Sequence, residues 1–111
     1  MKLLVYVMNN VNLLDRFVHE LKDAQIRGAT ILNSTGMGRK LVESDNFDII
    51  GSLKAIFDTP RTDSRVILMA LEDEQVPRVL DIIDRLAGDL SKPNSGIVFT
   101  LNIEYVKGYK K

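Results

Sequence analysis

Two stretches that repeat the same order of patterns place the tightest limit on how this chain can fold. The first holds an apolar run at residues 3–8 ("LLVYVM"), apolar side chains at helical spacing over 12–26 and a strand-like run at 29–35. The other holds an apolar run at 65–71, a second helical stripe and an alternating run at 97–106. A strand, a helix and a strand, present twice, predict an α+β fold of the ferredoxin-like βαββαβ kind, with a four-stranded antiparallel sheet and both helices on one face.

The four strand-like runs differ in how apolar they are. Those at 3–8 and 65–71 are apolar at nearly every position, whereas those at 29–35 and 97–106 mix or alternate apolar and polar residues. We therefore expect the first two to be the inner strands of the sheet and the others to be its edges. Because the inner strands are apolar on both sides, both faces of the sheet need cover, and the two helices cover only one face. Burial of the second face in an oligomer is the economical solution.

Local signals predict where the helices begin and end. Asn12, which lies three residues before Asp15, is expected to cap the start of the first helix, and Arg27 with Gly28 to end it. Asp73 is the expected N-cap of the second helix. The acidic residues beside it in "EDEQ" also suit the positive end of a helix dipole.

Composition and charge limit the partners and the compartment. Lys plus Arg and Asp plus Glu number 15 each, so the formal charge is zero and no basic field favours nucleic acid. The chain has no cysteine, which removes disulfides and thiolate chemistry and fits a cytoplasmic protein. The apolar run that ends before Asn9 is too short for a signal peptide or a membrane span, so we expect no membrane insertion.

No group of residues has the pattern of a catalytic or metal site. His19 is the single histidine and lies beside the apolar stripe of the first helix, where a solvated or half-buried role is favoured over acid–base catalysis. With one histidine and no cysteine, a transition-metal site is not expected. Asp81 and Asp84 fall on the outer face of the second helix. The chain is therefore expected not to be an enzyme and to require no cofactor.

The stretch "NSTGMGRK" at 33–40 has two interpretations. It is neither a Walker loop nor a dinucleotide-binding fingerprint, because the glycine spacing differs from both. From spacing alone, Gly36 and Gly38 are expected to permit positive φ where the chain leaves the sheet. In the other interpretation, Arg39 and Lys40 add two cations beside exposed backbone N–H groups and form an anion site.

Residues 36–63 form a long connection with no single clear pattern. A connection of this length within a compact domain is typical either of a functional loop or of an element that the pattern assigns wrongly. Its second half has apolar residues at helical spacing, which predict either a partner-binding helix or an addition to the core. These residues are Ile49, Ile50, Leu53, Ile56 and Phe57.

The whole chain resembles the P-II signalling family, which includes the nitrogen-regulatory proteins. The most specific piece is "GATILNSTGMGR" at 28–39, which matches the family's Gly-x-Thr-x-x-x-x-x-Gly-x-Gly-Arg. "KLLVYVM", "RVILMALEDEQVPRVLDII" and "GIVFTLNIEYVKG" extend the likeness along the chain. The resemblance implies one ferredoxin-like domain over 1–111, a homotrimer with its sheets facing inward, and a T-loop-like excursion at about 37–63, whose part at 37–58 contacts effectors.

The resemblance also implies a ligand site. In the family, ATP or ADP lies between neighbouring subunits, held by the T-loop base, a Gly-rich loop before the last strand and basic residues after it. Where typical members have Thr-Gly-x-x-Gly-Asp-Gly-Lys, this chain has "AGDLSKPNSG", which offers Lys92 in place of the family's lysine. An adenine nucleotide is thus the expected regulatory ligand. The matching positions are Gly36, Gly38, Arg39, Lys40, Gly88, Lys92, Gly96 and Lys107.

By resemblance, the chain is a non-enzymatic signalling protein that controls a transporter or a metabolic enzyme through its loop. Uridylylation of a T-loop tyrosine, as in enterobacterial members, is excluded there, because Tyr6, Tyr105 and Tyr109 all lie outside the loop. Two alternatives stay open: a structural trimer with a vestigial nucleotide cleft, and a metal-tolerance protein like the related CutA-type trimers. An acylphosphatase-like hydrolase is disfavoured, because no recognisable motif holds its Arg-Asn pair.

Overall fold

In the computed structural model, which describes residues 1–37, 40–41, 63–92 and 95–110, four strands form one open antiparallel sheet and two helices pack on it. A turn of 3-10 helix, at Val11–Leu13 and at Asp73–Gln75, precedes each helix. The α+β ferredoxin-like fold predicted from the two repeated units is therefore confirmed. The elements are β1 (Lys2–Met8), α1 (Leu14–Asp23), β2 (Thr30–Ser34), β3 (Ser64–Leu71), α2 (Val76–Ala87) and β4 (Gly96–Asn102).

The sheet has the strand order β2-β3-β1-β4, and all three neighbouring pairs are antiparallel. The two strands that are apolar throughout, β1 and β3, therefore lie in the centre, as the sequence predicts. The register pairs Val5 of β1 with Leu68 of β3 and with Phe99 of β4. Because side chains alternate between the faces of a strand, this register decides which residues share each face.

One face of the sheet and both helices enclose the core. Leu4, Tyr6 and Met8 of β1 point to this face and are at most 1% exposed. The Tyr6 ring meets the edge of Phe17 from α1, with centroids 5.5 Å apart and planes at 70°, a favoured geometry for an aromatic pair. Burial raises the pKa of Tyr6 above its ordinary value. The remaining buried members of the core are Leu21, Ile26, Ile67, Met69, Leu71, Val79, Ile82 and Ile83.

The opposite face of the sheet is apolar, and no described helix or strand packs on it. Its residues alternate with the core residues, as the register requires. On β4, Phe99 is 43% exposed and Leu101 is 53% exposed. We call this surface the bare face; its apolar members are Leu3, Val5, Val7, Leu32, Val66, Leu68, Ala70, Ile97, Phe99 and Leu101.

The first helix is shorter than the predicted 12–26. The 3-10 turn before it is capped by Asn10 and not by Asn12: the Asn10 side chain accepts a hydrogen bond of 3.2 Å from the backbone N–H of Asn12. At the other end Gln25 takes a φ of +60°, and the Ile26 N–H donates to the Leu21 carbonyl at 2.9 Å. This is the Schellman arrangement, and it ends the helix before Arg27 and Gly28 because the left-handed residue is Gln25.

Two further boundaries differ from the prediction. The N-cap before α2 is Glu72 and not Asp73, because the Glu72 side chain caps the Gln75 backbone while the Gln75 side chain accepts from the Glu72 N–H at 2.9 Å. The last strand ends at Asn102 and not at residue 106. Its partner β1 begins at Lys2, directly opposite Asn102, so later residues have no strand beside them.

Candidate ligand-binding clefts

The chain leaves β2 through Gly36, and its conformation there is ordinary. Gly36 does not have a positive φ, and an added Cβ would meet no atom within 4 Å. The expectation that this glycine supplies a positive φ is therefore wrong. The Lys40 N–H donates to the Gly36 carbonyl at 3.2 Å, and the separation of four residues is that of a helical hydrogen bond. Lys40 is exposed. Gly38 and Arg39 lie outside the described residues.

A polar niche of about 370 Å³ adjoins Gly36, where β2 ends and β3 begins. The hydroxyl oxygens of Ser34 and Ser64 lie 2.7 Å apart, and the Arg65 guanidinium donates to the Ser64 carbonyl at 2.9 Å. Sequence reasoning treated Arg65 only as the first residue of a strand. Its pairing with Asn33 across the two strands brings it to the niche, and this pairing is not visible in local sequence. The niche is lined by Asn33, Ser34, Thr35, Asp63 and Arg65.

The glycines at the two ends of the 88–96 loop have structural roles. Gly88 ends α2 with a φ of +71°, and its N–H donates to the Asp84 carbonyl at 3.1 Å. Gly96 has a φ of +112°, and an added Cβ would lie 2.3 Å from the carbonyl oxygen of Val7. A side chain at Gly96 is thus excluded both by conformation and by contact.

Inside this loop, side chains bond to the loop's own backbone. The Asp89 carboxylate accepts a hydrogen bond of 2.9 Å from the Ser91 N–H, and hydrogen bonds from the Ser91 side chain and backbone lower the pKa of Asp89. The Ser95 hydroxyl oxygen lies 2.8 Å from the Leu90 carbonyl oxygen and 2.5 Å from that of Lys92, so its one proton serves either acceptor. Lys92 itself is exposed.

A larger cleft, of about 500 Å³, lies at the other end of the sheet. Lys107, which was predicted from its place after the last strand, lines it together with Arg27 and Gly28. Sequence reasoning assigned Arg27 and Gly28 to the end of a helix and missed them as cleft residues. No local signal marks them, because the cleft forms only where residues 106–110 pass beside them.

The predicted ligand residues lie at opposite ends of one sheet. Gly36 and Lys40 follow the end of β2 at Ser34, and Lys92 precedes the start of β4 at Gly96, at the same end of the sheet. Lys107 follows the end of β4 at Asn102, at the opposite end. Seven residues of β1 separate the two ends, a distance of about 20 Å at the usual rise per residue of a strand. One ligand that uses both groups must therefore contact two copies of the chain.

The described parts of the chain hold no group of three or more His, Cys, Asp or Glu residues placed to bind a metal ion. Within the same residues, no helix has the length and apolarity needed to cross a membrane.

The chain matches a known protein family. The family model described as "Nitrogen regulatory protein P-II" matches residues 1–111, the whole chain. A search of the curated proteins gives no match.

Proposed function

Because the chain belongs to the P-II family of regulatory signalling proteins, we propose that it is a homotrimer that binds an adenine nucleotide in the clefts between its subunits. In this proposal it controls a target protein through the loop at 37–58. The observation that carries this proposal is the position of the cations. Lys40 and Lys92 lie at one end of the sheet, and Arg27 and Lys107 lie at the other. A site between two subunits is the arrangement in which both groups serve one ligand.

The bare face supports the homotrimer. An apolar sheet face with side chains such as Phe99 and Leu101 about half exposed is unfavourable in water, and a subunit interface removes it from water. P-II family proteins are generally trimers. Trimerisation through this face joins the sheet ends of neighbouring subunits and leaves the helices outside.

The chemistry of the two groups of residues favours an anionic ligand. Arg27 and Lys107 bring a guanidinium and an ammonium to one cleft of about 500 Å³, and both donate to phosphate oxygens in protein sites. The niche with Arg65 and two serine hydroxyls, 2.7 Å apart, adds polar donors at the other end. A nucleotide, with phosphates at one end and a flat base at the other, fits a site composed of two such halves.

In this proposal the loop transmits the state of the site. Met37, where the loop begins, is 73% exposed. The apolar loop residues Ile49, Ile50, Leu53, Ile56 and Phe57 lie outside the described residues, and we assign them to contact with a transporter or a metabolic enzyme. Ligand binding would order the loop or shift its conformations, which the target reads. Loss of target co-purification in I49S and F57S variants that still bind nucleotide tests this role.

Isothermal titration calorimetry with ATP, ADP, AMP and cyclic dinucleotides tests the ligand. At about 100 µM protein, the range suited to weak regulatory sites, we expect at least one to bind. Lys107→Gln and Arg27→Gln should each weaken that binding roughly tenfold, because each removes a charged donor to phosphate. Lys22→Gln, a change of the same charge on α1, is the matched control and should leave the affinity unchanged. Absence of heat with every nucleotide would refute the nucleotide site.

A structural trimer with a vestigial cleft is the second candidate, and the 88–96 loop favours it. Ser91 and Ser95 already bond to the loop's own groups, and Gly88 and Gly96 are required by backbone geometry. On this alternative no nucleotide changes the melting temperature, while light scattering still reports a trimer.

A further inference from the structure

The chain after β4 turns back across the end of the sheet and reaches the start of α2. Its last backbone hydrogen bond to the sheet joins the Ile103 N–H to the Met1 carbonyl at 3.1 Å. Tyr105, two residues further along this tail, is 79% exposed, and Gly108 takes a left-handed φ of +87°. Tyr109, which follows Gly108, is half-buried. The tail is therefore held at two places, with Lys107 between them.

The second place is a groove of about 460 Å³, lined by side chains of the α2 start and by Tyr109. Tyr109 and Arg27 line both this groove and the cleft that contains Lys107, so the two pockets are adjacent. Desolvation, the charge of Glu72 and a side-chain hydrogen bond with Glu72 raise the pKa of Tyr109, with a smaller contribution from the charge of Glu74. Tyr109 and Glu72 both line this groove, so the phenol lies near the Glu72 carboxylate.

Glu72 is a rigid anchor for the tail. It follows the last residue of β3 directly and forms the capping box with Gln75. A carboxylate fixed by backbone bonds at the junction of a strand and a helix has little rotational freedom left to lose when Tyr109 docks on it.

We propose that Tyr109 is a positioning residue, which docks on Glu72 and thereby holds Lys107 beside Arg27 for contact with the anionic ligand. The proposal rests on the nucleotide site of the proposed function. Contact with the ligand fixes both the tail backbone and the Lys107 side chain, at a cost in conformational entropy, and a tail attached only at Ile103 leaves that whole cost to the binding step. Docking of Tyr109 fixes the backbone around Lys107 before the ligand arrives, so only the side-chain share of the cost remains and the ion pair with the ligand contributes more to affinity.

A double-mutant cycle with ATP and ADP as probes tests the positioning role. Lys107→Gln should weaken binding roughly tenfold in the unsubstituted protein, and less than about twofold once Tyr109→Phe has removed the hydroxyl. The matched control is Tyr105→Phe, which deletes the same atom from an exposed tyrosine of the same tail; in that background the tenfold loss should remain. A general structural effect of Tyr109 would lower affinity but leave the Lys107→Gln loss unchanged.

Amide hydrogen exchange gives a second measurement that needs no ligand. Tyr109→Phe should speed exchange over 104–110 relative to the unsubstituted protein, and Tyr105→Phe should not. An equal Lys107→Gln loss in both backgrounds, or unchanged exchange in Tyr109→Phe, overturns the positioning role while nucleotide binding, and with it the proposed function, stands. If none of ATP, ADP, AMP and the cyclic dinucleotides binds the unsubstituted protein, the nucleotide site of the proposed function fails and takes this inference with it.

Discussion

At the scale of single residues, glycines that look alike in the sequence have different reasons to be glycine. In the sequence, Gly36 comes directly after one strand-like run and Gly96 directly before another, each in a turn-rich stretch. Gly96 needs its identity, because its φ is +112° and the Val7 carbonyl leaves no room for a Cβ, whereas Gly36 has neither constraint. The family resemblance marks both glycines as ligand residues. The backbone, however, requires glycine only at position 96, whereas position 36 has room for a side chain.

Gly96→Ala should destabilise the protein by about 3 kcal/mol, the combined result of a left-handed conformation and a backbone clash. Urea denaturation followed by circular dichroism measures the difference. The paired control is Gly36→Ala, which meets open space and should change the free energy of unfolding by less than about 0.5 kcal/mol. Equal effects of the two substitutions on the free energy of unfolding would contradict the conclusion that the backbone requires glycine at position 96 but not at position 36.

The sequence predicts some residues of the candidate site and misses others for a physical reason. Lys107 was found because its place after the last strand matches a family pattern. Arg27 and Tyr109 were missed, since their roles depend on contacts with residues far along the chain, such as Glu72 for Tyr109. Local patterns contain no information on such pairs.

At the scale of elements, strand and helix identity follows from apolar periodicity, while their ends follow from single hydrogen bonds. The centre positions of β1 and β3 were predictable because both are apolar on both faces. The end of α1 was not, because Gln25 takes the left-handed position that usually falls to glycine. The end of β4 depends on where β1 begins, which is information from another element.

The capping box before α2 gives a prediction at this scale. Gln75→Ala removes the acceptor of the Glu72 N–H, 2.9 Å away, and should lower the free energy of unfolding by about 1 kcal/mol. Glu74→Gln, in the same turn, changes a charge near the helix start without touching the box, and should cost less than about half as much. Thermal unfolding of both variants provides the comparison; a loss in Gln75→Ala no larger than in Glu74→Gln would argue against the box.

At the scale of the whole molecule, the sheet has one covered face and one bare face. The core side holds Tyr6 and the helices, whereas the other side exposes about half of Phe99 and Leu101. The sequence predicted this asymmetry from two helices and a sheet that is apolar on both faces. It left the number of subunits to the family resemblance.

If the proposed trimer forms through the bare face, a Phe99→Lys and Leu101→Lys double variant should convert it into monomers, because two buried charges in an apolar interface are not compensated. Sedimentation equilibrium measures the mass, and circular dichroism checks the fold. Thr100→Lys lies on the same strand but points to the other face, is exposed, and should leave the assembly intact. A double variant with the mass of the parent protein would exclude the bare face as the interface.

The placement of cations at opposite ends of one sheet has a genetic consequence. In the proposed trimer each cleft takes one half from each of two neighbours, so a subunit defective near Lys40 and a subunit defective at Lys107 each retain the half that the other lacks. Any mixed trimer of the two then contains a single cleft with both halves intact. Two inactive alleles expressed together would thus restore a third of the sites in every mixed trimer, an intragenic complementation that a site contained within one chain does not permit.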